Sequence, residues 1–81
     1  MSNNHSLPLS LAPIGQAVKL ISIRAGAQLT HRLTEMGLTP GVELTVMQNT
    51  GGPLVVSVRD SRLALGRGMA HKMRVELVYT P

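Results

Sequence analysis

About five short stretches of alternating apolar residues, each cut off by glycine or proline, are crowded into a chain of 81 residues. Sheets built of such short strands expose bare edges unless they curl onto themselves, so the pattern points to a small closed or half-closed barrel. Leu9 and Leu11 alternate around Ser10 and predict a short strand that ends at Pro13 and Gly15. The segment AVKLISIRAG starts with Val18 and Leu20 on one face, then switches to Ile21 and Ile23. A phase change of one residue within a strand predicts either a bulge or burial on both faces. Further on, Val42, Leu44 and Val46 share a face, as do Leu54, Val56 and Val58. A strand from Arg62 to Leu65 follows the Arg59-Asp60-Ser61 turn, and Val75, Leu77 and Tyr79 line one side of the last strand.

Only AQLTHRLTEMG departs from this period. Leu29, Leu33 and Met36 fall at i, i+4 and i+7, one face of a helix. Gly37 directly after Met36 is placed to adopt the left-handed conformation that stops a helix. Pro40-Gly41 then predicts a type II turn, with proline presetting φ and glycine supplying the positive φ. Gly66 and Gly68 break the chain before a short turn or helix, MAHKM. The expected class is all-β with one short helix, a small barrel of about five strands. It occupies residues 7–81 as a single domain after a disordered tail, residues 1–6. Its core is aliphatic, since Tyr79 is the sole aromatic residue. Met36 and Met73 are expected to fill that core, with Tyr79 pointing inward and Met47 and Met69 partly exposed.

With 43% hydrophobic and 15% charged residues, the chain is too apolar to stay unfolded. The absence of cysteine excludes disulfides, cysteine-based zinc sites, iron–sulfur clusters and thiol catalysis. No apolar run approaches the roughly 20 residues of a membrane helix, and MSNNHSLPLS lacks the basic start of a signal peptide. A cytoplasmic protein without membrane insertion is expected.

The ordered pieces RLTEMGLTPGVELTV and PLVVSVRDSRLALGRGMAHKMRVE resemble the FeoA family, small accessory proteins of bacterial ferrous-iron uptake. The likeness rests on Leu33, Met36, Gly37, Leu38 and Gly41, then on Ala64-Leu65, Ala70 and Met73-Arg74-Val75. Leu9, Leu11 and Gly15 also stand in family-like places, so the resemblance spans residues 7 to 79. It implies a Src-homology-3-like barrel and a role on the cytosolic side of FeoB, a membrane ferrous-iron transporter with a GTP-binding domain. The family supplies no catalytic residue set to carry over. A similar domain ends iron-dependent repressors, but this chain has no helix-turn-helix segment.

Read residue by residue, the chain offers no catalytic constellation. Glu35, Glu43, Asp60 and Glu76 are scattered, and no serine sits in an elbow motif. No cofactor is required. His31 and Glu35, at i and i+4, share a helix face and could weakly chelate a divalent ion such as iron or zinc, though two ligands leave a tetrahedral site half empty. The net charge of +4 is concentrated in Arg59, Arg62, Arg67, Lys72 and Arg74, a surface suited to an acidic partner. The expected docking surface joins these residues to the helix and its Gly37–Gly41 exit. Arg59 and Arg62 flank a hairpin tip, from which an arginine could reach a partner's bound nucleotide. Two alternatives stand beside transporter docking: a metal-responsive module built on His31 and Glu35, and a basic nucleic-acid-binding barrel. The second lacks the aromatic platform on which bases stack. Oligomeric state leaves no mark in the sequence.

Overall fold

The computed structural model of the chain describes residues 6–79. Its six strands are β1 (Leu7–Pro8), β2 (Ala17–Ile23), β3 (Glu43–Gln48), β4 (Leu54–Val58), β5 (Ser61–Leu65) and β6 (Met73–Leu77). They form one antiparallel sheet in the order β1-β6-β2-β3-β4-β5. Helix α1 (Ala27–Glu35) links β2 to β3, and the five-residue α2 (Arg67–His71) links β5 to β6. Val18, Leu20, Leu44, Val46, Leu54, Val56, Leu65, Met73 and Val75 meet in a single buried cluster with Leu33 of α1 and Ala70 of α2. Five strands can share one core only if the sheet curls, which is the small Src-homology-3-like barrel expected from the sequence. Each fully buried Leu, Val or Met contributes about 1.5–3 kcal/mol, so this aliphatic cluster dominates stability.

The predicted phase change in β2 is a bulge. Leu20 lies opposite Val75 and Ser22 opposite Arg74, which leaves Ile21 as the extra residue. Val18 and Leu20 therefore point inward before the bulge, and Ile23 packs against the core after it. A second bulge leaves Met47 unpaired and exposed between Val46 and Gln48.

Helix α1 ends as the glycine predicts. Gly37 has φ +89°, its N–H donates to Thr34 O at 3.0 Å, and the N–H of Leu38 donates to Leu33 O at 2.9 Å. These two bonds satisfy carbonyls that the helix end would otherwise leave open. Thr39 to Val42 then make the type II turn: Gly41 has φ +96° and Val42 N–H donates to Thr39 O at 3.0 Å. The turn is tied to β2 by Gly41 N–H donating to Leu20 O at 2.7 Å.

Three expectations are corrected, while the six strands, the two-residue β1 beside β6 among them, agree with the expected small barrel of about five. Leu9–Leu11 is a tight 3-10 turn, not a strand: Leu9 is fully buried while Leu11 is 67% exposed. Four residues between Pro8 and Pro13 are too few for alternation to tell a strand from a turn. Met36 is exposed, because it caps α1 and stands beyond the helical period; Leu38, brought back by the reversal at Gly37, fills the core instead. Tyr79 points outward at 79% exposure, since β6 stops at Leu77 and alternation has no hold on residues past the ladder. Met73 is buried as expected, and Met69 is half-buried against the core. Residues 1–5, most of the expected tail, lie outside the described residues, as do residues 80 and 81 of the expected domain; Ser6 is held by Arg74, which donates to its carbonyl at 2.7 Å.

Candidate functional site

The sheet register divides the basic residues into two groups. Arg59 opens the two-residue connection between β4 and β5, with φ +55°, and Arg62 stands exposed on β5 opposite Ser57. On the other side, Arg74 lies opposite Ser22. The ladder then extends past both strands, where Arg24 N–H donates to Lys72 O at 2.7 Å. Arg24 and Lys72 are thus neighbours, both exposed, with Arg74 close by on β6. Arg24 carries no sequence signal of its own; only the pairing of β2 with β6 beyond the bulge reveals it. β3 separates the two groups within the sheet. Among the described residues, none of these five cations has a carboxylate within ion-pair distance.

Arg67 has a different occupation. Its guanidinium donates to Asn49 Oδ1 and, through Nε, to Gly51 O at 3.3 Å. Asn49 in turn donates through Nδ2 to Ser10 O at 3.1 Å, and Ser10 Oγ lies 3.4 Å from His71 Nδ1. This chain of polar contacts ties the β3–β4 loop, the 3-10 turn and α2 together. Arg74 is likewise engaged, reaching the carbonyl and hydroxyl of Ser6. Of the basic residues in these two groups, Arg24, Arg59, Arg62 and Lys72 are exposed and make no side-chain hydrogen bond or ion pair among the described residues.

His31 and Glu35 do meet on α1, with Nε2 and Oε2 3.3 Å apart and side chains 73% and 66% exposed. Ala27, Gln28, His31 and Arg32 line a shallow open groove there. No cluster of three or more potential metal ligands exists among the described residues. In this geometry the imidazole and the carboxylate engage each other, and an ion would have to part them and draw its remaining ligands from water.

The likeness to known proteins runs through the whole barrel. A family model described as the FeoA domain matches residues 7–77, from β1 to the end of β6. A protein of Methanocaldococcus jannaschii, provisionally named Fe(2+) transport protein A, is 41% identical over 69 residues, 85% of this chain and 84% of its own. A crystal structure named as the iron uptake regulatory protein FeoA has a TM-score of 0.84 at 32% identity, over 90% of this chain and 99% of that one. A manganese-dependent transcriptional repressor reaches a TM-score of 0.86 at 17% identity, covering 96% of this chain and 45% of its own, a likeness of fold alone.

Proposed function

This chain belongs to the FeoA family, and on that premise we propose that it is a non-catalytic accessory protein that binds the cytosolic side of a FeoB-type, GTP-dependent ferrous-iron transporter. The observation that carries the reading is the match from residue 7 to residue 77, which makes the whole barrel family-like. The surface agrees in charge with such a role. Arg24 and Lys72 at one side of the sheet, and Arg59 and Arg62 at the other, offer four uncommitted cations to an acidic protein surface. No helix among the described residues is long and apolar enough to cross a membrane, so the transporter supplies the membrane part. The working place of the protein is then the cytoplasm, at the inner face of the membrane.

The test is an NMR titration of the labelled chain with the soluble GTP-binding domain of the transporter from the same organism. Localised, saturable shifts that include Arg24, Lys72, Arg59 or Arg62 support the reading. An unchanged spectrum at high concentrations of both proteins counts against that domain as the partner.

A further inference from the structure

The sheet has two terminal strands, and they are not equivalent. β1 is two residues long and one of them is Pro8, which has no N–H to offer. β5 is five residues long, without proline and without a bulge. Its ladder with β4 starts at Val58–Ser61 across the two-residue connection. In such a hairpin the closing pair exchanges hydrogen bonds and the next pair does not, in alternation. The N–H and C=O groups of Arg62 and Ala64 therefore point away from β4. Among the described residues no backbone or side-chain group pairs with them.

An open edge of this kind accepts an extended chain, and charge decides which one. Arg62 is exposed, and Arg59 stands at the head of the strand. Asp60 is the single opposing charge at the hairpin tip, which leaves the tip net positive. A second copy of β5 laid along the first would bring another Arg62 to the same face, within about one Debye length of roughly 10 Å. The edge thus repels its own kind and attracts carboxylates. On the other face, Leu63 is half-buried against the core and Leu65 is buried, so an added strand places its inward residue beside Leu63.

We propose that β5 is a strand-addition edge for an extended acidic segment of a partner protein, which sets Asp or Glu beside Arg62 and an apolar residue beside Leu63. The inference deepens the docking reading above and rests on it for the acidic character of the partner. Main-chain bonds to Arg62 and Ala64 supply the attachment, and the alternation of acidic and apolar residues supplies the selectivity.

The experiment titrates the labelled chain with the peptide acetyl-Thr-Glu-Val-Glu-Val-Thr-amide. Controls carry lysine for both glutamates, or N-methyl groups on alternate amides. Saturable shifts at Arg62 and Ala64, with slowed amide exchange at both, are the expected result. Ala64→Pro removes an outward N–H that the β4 ladder does not use, and it should weaken binding about tenfold. Arg62→Glu leaves the backbone untouched and should weaken it similarly, which keeps the test decisive if Ala64→Pro unfolds. Shifts centred elsewhere, absent shifts, or equal binding of the lysine or N-methylated peptide overturn the proposal. The transporter's GTP-binding domain is titrated in parallel. Its binding undiminished by Ala64→Pro, with no peptide response, overturns the edge and keeps the docking reading. Peptide protection at β5 without any response to the GTP-binding domain keeps the edge and removes that domain as its partner.

Discussion

The amide of Leu38 donates to the carbonyl of Leu33 across 2.9 Å, and the two leucine side chains drawn together by that bond are both fully buried. One hydrogen bond thus fixes where α1 stops and which residue continues the core after it. The device needs a left-handed residue at Gly37, whose φ is +89°. An added Cβ there would meet no atom within 4 Å, so the cost of replacing it is conformational rather than steric crowding by neighbours.

Gly37→Ala should therefore destabilise the protein by about 1–2 kcal/mol, the cost of holding an L-residue in the left-handed region. In a domain of this size that is a fall of roughly 4–8 °C in Tm per kcal/mol. A urea or thermal melt checks it, and an unchanged midpoint would show that the helix end can be rebuilt without the reversal.

Leu38→Ala and Met36→Ala should differ sharply, although sequence pattern alone ranks Met36 as the core residue. Leu38 is fully buried and its truncation should cost about 2–5 kcal/mol. Met36 is exposed at the helix cap, and its truncation should stay within about 0.5 kcal/mol. Equal losses in denaturant melts would contradict the placement of both.

Arg67→Ala should loosen the β3–β4 loop, because that guanidinium holds Asn49 and Gly51. The expected loss is about 1–2 kcal/mol, with faster amide exchange from Asn49 to Gly52. Arg62→Ala makes no such contacts and should leave stability within about 0.5 kcal/mol. The pair separates arginines that brace the barrel from arginines free to meet a partner.

Titration with Zn²⁺ or Fe²⁺ should show no tight stoichiometric binding, since His31 and Glu35 supply two ligands and no third stands near them among the described residues. Calorimetry checks this directly. A saturable one-to-one heat that disappears in His31→Ala would instead establish the metal-responsive alternative.

Affinity for the transporter's GTP-binding domain should fall as salt rises, because exposed cations steer encounter through a screened field. Joint reversal by Arg24→Glu and Lys72→Glu should slow association more than it speeds dissociation, with no change in Tm. Surface plasmon resonance at several ionic strengths resolves the two rates.

Local signals were legible where the local backbone decides the outcome. The bulge at Ile21, the reversal at Gly37, the turn at Pro40-Gly41 and the inward faces of β3 and β4 each follow from a few adjacent residues. What was hidden depends on partners far along the chain. Leu9 is buried and Leu11 exposed because a 3-10 turn, not a strand, packs beside α2, and three residues cannot announce that. Arg24 joins Lys72 only through the register of β2 on β6, and Arg67 finds Asn49 only once the β3–β4 loop folds back. Among the site residues, His31 and Glu35 are neighbours by helical spacing and were readable as such. The division of the basic residues across the sheet was not, because charge density along a sequence carries no information about strand order.

The place of β6 in the sheet bears on how this protein is made. The last strand of the barrel lies between β1 and β2, the first two, and supplies Met73 and Val75 to the core. The β3–β4 and β4–β5 hairpins pair strands close in sequence, but the barrel stays open until β6 is in place. At about 5–20 residues per second, the stretch from β5 to the end of β6 takes roughly one to three seconds to synthesise. Until β6 docks, Val18 and Leu20 lack the strand that pairs beside them. A pause in translation within this stretch would extend the time in which chaperones or other nascent chains can reach them.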